Sequence, residues 1–253
     1  VTVYHCIDEF TVGTSGHKKQ VIEELETALL KKVDIVFANS LLTFQNKKKI
    51  QPNCFRVPSG ANIAHFSKAQ TAVIHPDLVQ RARPILMFAG QINEKIDVVG
   101  LADLAEQNPE WTIVLLGKRW SSADQSGIER LKKCPNAFLD GAKPFDSLPQ
   151  WFAAADLCLL PYVQGEATRF RSPLKLYEYL ATGLPIISTP HPEVKEFSDL
   201  ISIYDISAWS DHIGQIIETE SVEKRSARLD EAANHSWSVR VDFMLEKISQ
   251  EMR

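Results

Sequence analysis

Short apolar runs alternate with longer amphipathic stretches along all 253 residues. The apolar runs predict strands over 2–7, 34–38, 54–57, 85–89, 111–116, 136–139, 157–160, 185–189 and 201–204. Between most of them the pattern predicts helices, over 18–32, 40–49, 96–107, 124–133, 146–154 and 172–182. Alternation of this kind means parallel strands joined by crossover helices. Residues 85–89, 113–116 and 157–160 are continuous apolar runs, as expected of strands covered on both faces. The predicted fold class is α/β, with a Rossmann-like, doubly wound parallel sheet. Helices dominate after residue 207 and end in one over 237–251.

Residues 58–70 contain Pro and Gly, lack periodicity, and separate two strand-helix series. The first series has about three strands, few for a doubly wound sheet of about 4–6 strands. The second has six and can stand alone. The chain therefore reads as the end of one α/β domain (1–62), a second α/β domain (63–236) and a closing helix (237–253). Val1 is not Met, and 2–7 already has the character of an inner strand, so a fragment of a longer protein is expected.

The most informative stretch is 172–190, Ser-Pro-Leu-Lys-Leu-Tyr-Glu-Tyr-Leu-Ala-Thr-Gly-Leu-Pro-Ile-Ile-Ser-Thr-Pro. Ser172 is a good N-cap, Pro173 suits the first helical position, and Gly183 suits a helix end. A helix N-terminus is a ready anion site. Lys175 lies in that first turn, beside Leu174, and Glu178 follows one turn on. Phosphate suits the N–H groups and the cation; a sugar diol suits the carboxylate. The preceding loop, 161–171, adds Glu166, Arg169 and Arg171.

Ligands of open α/β sheets bind at the carboxyl ends of the strands. Gly90-Gln91 follows one candidate strand, with Lys95 opening the next helix, and Gly117-Lys118 follows another. Each is a weak signal, because Gly after a strand is usually turn chemistry. Lys143-Pro144-Phe145 precedes a helix that Asp146 or Ser147 can cap; Phe145 is either exposed by the turn or packed as a hydrophobic staple. No GxGxxG or GxxxxGK[ST] is present, so nicotinamide and NTP-hydrolase readings lose their main support.

Composition narrows the classes. A net charge of −4 argues against nucleic acid as a partner, and no apolar run has the length of a membrane helix. Cys6, Cys54, Cys134 and Cys158 are scattered, without metal-ligand spacing, and read as free thiols of a cytoplasmic protein. The runs Lys31-Lys32 and Lys47-Lys48-Lys49 read as solvated helix faces; the alternative is a patch touching anionic lipid headgroups at the inner face of a membrane.

Four stretches together resemble a known family: 24–40, the linker Val57-Pro-Ser-Gly-Ala-Asn-Ile-Ala-His-Phe66, the segment from Phe88-Ala-Gly90 to Lys95, and 161–190. The chain is similar to retaining, nucleotide-sugar-dependent glycosyltransferases of the GT-B fold. The resemblance implies two Rossmann-like domains, the N-terminal one for the acceptor and the C-terminal one for the donor. It implies that Glu178 binds the ribose hydroxyls, that Lys95 meets phosphate, that Gly90 is the loop glycine, and that 143–148 cradles the base by its backbone. Lys175 resembles a phosphate contact of a subgroup with Ser-Pro-Leu-Lys. The 237–251 helix, with Trp237, resembles one that crosses back to the N-terminal domain. Two positions depart from the pattern: Gln91 stands where Arg is usual, and Phe170 where a first glutamate is usual.

The expectation is a donor-binding half, inactive as this fragment. The whole protein would move a sugar from a nucleotide diphosphate to a glycan or lipid-linked acceptor in cell-envelope polysaccharide synthesis. The implied catalytic set is Lys95, Lys175, Glu166 and Arg171. The implied donor-binding set is Gly90, Gln91, Gly117, Lys118, Lys143, Pro144, Phe145, Ser172, Pro173, Leu174 and Glu178. No cofactor or metal is expected, because no Asp-x-Asp motif is visible and cations with helix N–H groups can stabilise the leaving diphosphate. The alternatives are a nucleotide-sugar epimerase of the same fold and a non-catalytic nucleotide-binding module.

Overall fold

The structure, a computed structural model, describes residues 1–252; the last residue of the predicted closing segment, 253, lies outside the described residues. The chain divides into two compact units. The first comprises Val1–Ala61, Gln164–Leu174 and the segment from His235 onward; the second comprises Asn62–Val163 and Lys175–Asn234.

In the first unit, β1 (Val3–Cys6), β2 (Ile35–Ala38) and β3 (Cys54–Arg56) form a parallel sheet in that order. Helices α1 (Gly16–Leu30) and α2 (Leu41–Lys48) connect them. Period-two alternation sorts the side chains of β2. Val36 and Ala38 pack with Leu30 and Phe44 on one face. Ile35 and Phe37 pack on the other with Phe243, Met244 and Ile248 of the closing helix α11 (Trp237–Glu251). The α2 helix is capped by Ser40, whose side chain accepts from the Thr43 N–H.

Two sequence expectations change in this unit. Lys47 is not on a solvated face. It is buried, with Nζ 2.9 Å from Glu9 Oε1 and 2.7 Å from Glu26 Oε2. Residues 164–174, expected in the second domain, belong to the first unit. Arg171 lies 3.2 Å from Asp8, and Ser172 Oγ accepts from the Ser59 N–H at 3.0 Å. Glu166 and Phe170 line a cavity of about 280 Å³ together with Glu9, Glu26 and Lys47. These contacts join residues far apart in sequence, so no local pattern announces them. The 161–171 loop also contains a short helix, α7 (Glu166–Arg169).

The second unit begins with α3 (Ile63–Phe66), capped by Asn62, whose Oδ1 accepts from the His65 N–H. Its strands are β4 (Ile85–Ala89), β5 (Thr112–Leu116), β6 (Ala137–Leu139), β7 (Leu157–Leu160), β8 (Ile186–Ser188) and β9 (Ser202–Ile203). All pair in parallel, in the doubly wound order β6-β5-β4-β7-β8-β9. The crossovers are α4 (Val98–Gln107), α5 (Gln125–Lys133), α6 (Leu148–Phe152) and α8 (Leu174–Thr182), followed by α9 (Trp209–Glu218) and α10 (Val222–Ala233). Leu86 and Phe88 of β4 join Leu101, Ile113, Leu131 and Trp209 in one core. Every residue of β4, β5 and β7 is buried, which explains their unbroken apolar sequence.

All four cysteines are free and buried. Among the described residues, no helix is long and apolar enough to cross a membrane.

Candidate donor site

In a doubly wound sheet the crevice opens where the strand order reverses. Here that point lies between β4 and β7. The loops leaving these strands are tied together there. Ile96 bridges Tyr162, the Asp97 N–H donates to Pro161 O at 2.7 Å, and the Val163 N–H donates to Lys95 O at 2.9 Å. Lys95 is therefore a loop residue at the switch point. The helix expected to open with it starts at Val98, capped by Asp97, whose carboxylate accepts from the Gly100 N–H at 2.8 Å. The Lys95 ammonium lies 3.8 Å from Glu94.

Gly90 follows β4 directly, its N–H donating to Leu116 O at 2.8 Å. A Cβ on Gly90 would meet Phe88 Cζ at 2.9 Å and Lys175 Cε at 3.2 Å, so Lys175 runs directly over this bare backbone. The Gly117 N–H in turn donates to Gly141 O at 2.6 Å. Three strand ends thus meet through backbone, which only small residues permit.

Lys175 and Glu178 are one turn apart on α8, and Nζ lies 2.7 Å from Glu178 Oε2. Glu178 is buried. Burial pushes its carboxyl above the ordinary value, against the opposing pull of Lys175 and His65. A carboxylate held this way gains from any ligand hydroxyl that donates to it. The neighbouring Tyr179 anchors the helix: its hydroxyl accepts from the Ala89 N–H at 2.8 Å.

At the end of β6, Lys143 pairs with Asp140 at 2.7 Å and lies 4.7 Å from the Trp151 ring centre. The expected caps do not form at the helix that follows. Ser147 precedes α6 without a side-chain cap bond and instead donates to Pro144 O at 2.8 Å. A single 3₁₀ turn, 145–147, has replaced the first helical turn. Phe145 is not a staple against its own helix; it is 48% exposed and stacks on His65. Gln91 and Lys118 are exposed, the latter with Nζ 4.7 Å from the Trp120 ring centre.

The second unit therefore brings together Gly90, Gly117, Lys175 and Glu178, with Lys95 at the same edge of the sheet. Glu166, Arg171, Ser172, Pro173 and Leu174 are part of the first unit. The α8 helix starts at Leu174 rather than Ser172, and Ser172 serves Ser59. Sequence reasoning missed His65, Tyr179 and Thr189, whose Oγ1 donates to Tyr162 O at 2.7 Å. A lone His, Tyr or Thr carries no local signal of contacts to another strand's loop.

Comparison with known proteins agrees with this architecture. The Anabaena protein HepE, solved in complex with UDP, superposes with a TM-score of 0.75 at 16% identity, over 98% of this chain and 72% of that one. A glycosyltransferase from Rickettsia africae superposes with a TM-score of 0.76 at 14% identity, over 99% and 70%. TuaH of Bacillus subtilis (strain 168), named as a glycosyltransferase of teichuronic acid biosynthesis, is 26% identical over 205 residues, 77% of this chain and 51% of its own length. The chain thus spans about half the length of the curated relative it matches. Residues 83–219, which carry the whole six-stranded sheet, match the model of the glycosyl transferases group 1, and the chain belongs to that family.

Proposed function

We propose that this chain supplies the nucleotide-sugar site of a glycosyltransferase that moves a sugar from a nucleotide diphosphate to a glycan or lipid-linked acceptor of the cell envelope. The observation that carries the reading is the Lys175–Glu178 pair lying beside the bare backbone of Gly90 at the ligand-binding edge of the sheet. In this reading Glu178 accepts from the ribose hydroxyls. Lys175 leaves Glu178 for the diphosphate, and Lys95 meets the same anion from the β4 loop. Preorganised cations of this kind stabilise a leaving diphosphate without a metal ion. The family match and the envelope-related name of the Bacillus subtilis relative support the substrate class. The exposed Lys31, Lys32, Lys48 and Lys49 are the groups that would meet an anionic membrane surface at its cytoplasmic face.

Calorimetric titration of the 253-residue chain with UDP, GDP and ADP tests the reading. At least one should bind saturably, and its affinity should fall in Glu178→Ala. Absence of binding by all three at millimolar concentration would overturn it.

A further inference from the structure

The six-stranded sheet forks at its carboxyl edge. β4 pairs with β5 along its whole length, from Ile85 with Thr112 to Ala89 with Leu116. It pairs with β7 only at Leu86 and Met87. Beyond that point β7 stays with β8, through Leu159 with Ile187 and Leu160 with Ser188. Alternate residues of a strand direct their backbone groups to the same neighbour. Ile85 faces the β7 side, because its carbonyl accepts from the Asp156 N–H at 2.8 Å. Ala89 therefore faces that side too, where the ladder to β7 has already ended. Gly90, the next residue, turns back to β5 through Leu116 O.

A buried backbone N–H and C=O left bare are destabilising. Ala89 is buried, and one side chain meets both of its groups. The Tyr179 hydroxyl accepts from the Ala89 N–H at 2.8 Å and donates to Ala89 O at 3.4 Å. Tyr179 is fully buried, and its ring packs against Phe152 with ring centres 5.4 Å apart. Burial holds the phenol protonated well above its ordinary range, so the hydroxyl keeps both roles. Phenylalanine would fill nearly the same space, so packing alone does not call for the hydroxyl. On α8, Tyr179 lies one turn past Lys175 and directly after Glu178. Lys175 Cε would lie 3.2 Å from a Cβ on Gly90. The hydroxyl thus fixes the spacing between the helix that carries the charged pair and the strand end that Lys175 crosses.

We propose that Tyr179 is a positioning residue of the nucleoside-diphosphate site: its hydroxyl replaces the strand partner that Ala89 lacks, and so sets Lys175 against the Gly90 backbone. This rests on the nucleotide-sugar reading above. In this role Tyr179 acts through Lys175, so its loss is felt at the diphosphate rather than at the nucleoside.

The test is titration of the full chain with the nucleoside diphosphate that the wild type binds best, and in parallel with its bare nucleoside. Tyr179→Phe should weaken the diphosphate about tenfold and the nucleoside by less than about twofold. The loss should not add to that of Lys175→Ala, because both changes act through one cation. Amide hydrogen exchange should quicken at Ala89 and stay slow at Met87, which keeps its pairing with Cys158. Tyr179→Met, with a flexible apolar chain and no hydroxyl, carries the same expectations if the phenylalanine variant fails to fold. Leu131→Ala, a core change on α5, should lower the denaturation midpoint and leave both affinities unchanged. Unchanged diphosphate affinity in the hydroxyl-free variant, with Glu178→Ala still weakening it, would overturn the positioning role alone. So would equal losses for diphosphate and nucleoside, full additivity with Lys175→Ala, or an equal loss in Leu131→Ala. A wild type that binds no nucleotide would instead overturn the donor-site reading, and this role with it.

Discussion

A Cβ placed on Gly117 would lie 1.7 Å from the carbonyl oxygen of Gly90. Gly117 has φ +149°, so the β5 loop reaches the β4 loop only because this residue has no side chain. Gly117→Ala should therefore combine backbone strain with direct overlap and destabilise the chain by about 2–6 kcal/mol. Gly141 is the control. It has φ +43° but open space around it, so Gly141→Ala should cost only about 1–2 kcal/mol. Denaturant midpoints of the two variants compare them; equal losses would refute the overlap.

In the proposed donor site, Glu178 would trade stability for binding. Burial raises its pKa, so the folded state holds its proton more tightly than the unfolded chain does. The group's stabilising contribution is thus present below the ordinary carboxylate pKa and is lost as pH rises through the raised folded value. Glu178→Gln should consequently have a higher denaturation midpoint than wild type at pH 7, with the gap closing as pH falls through the raised folded value and gone below the ordinary carboxylate range. Nucleotide affinity should nonetheless drop. A variant less stable than wild type at pH 7 would show that the Lys175 hydrogen bond outweighs the burial.

Lys175 and Lys95 are assigned to the diphosphate, so their loss should follow charge. Lys175→Ala and Lys95→Ala should each weaken a nucleoside diphosphate about ten- to a hundredfold and the bare nucleoside much less. Added salt should weaken the wild type more than either variant. The two losses need not add, since both residues act on one anion. Equal effects on nucleoside and diphosphate would place the damage in the fold.

Lys47 joins α1, α2 and the loop after β1 through its bonds to Glu26 and Glu9. Glu26 also accepts from the Tyr4 hydroxyl at 2.9 Å. Removing the cation leaves two carboxylates buried without compensation, so Lys47→Met should cost about 3–5 kcal/mol at neutral pH. Burial by itself would lower the Lys47 pKa, but the two carboxylates hold it above the ordinary lysine value. The advantage over Lys47→Met should therefore persist through neutral and moderately alkaline pH. It should fade only as pH rises through that elevated value. Urea unfolding at pH 7 and pH 10 measures it; a variant as stable as wild type at pH 7 would mean the cluster is energetically neutral.

The order of elements was legible in the residues themselves because periodicity is local. Continuous apolar runs marked β4, β5 and β7, and helical spacing put Lys175 and Glu178 on adjacent turns before any fold was known. The count of three strands and then six came from the same local signal. What the tertiary structure alone decided depends on residues brought together from afar. Lys47 looked like one of three solvated lysines until packing set it against Glu9, 38 residues away. Ser172 had the chemistry of a helix cap, but Ser59, 113 residues away, uses it. His65 and Phe145 are 80 residues apart, and neither has a pattern that names the other. Propensity and spacing act within a turn or a strand, whereas burial, pairing and close backbone approach are properties of the packed molecule.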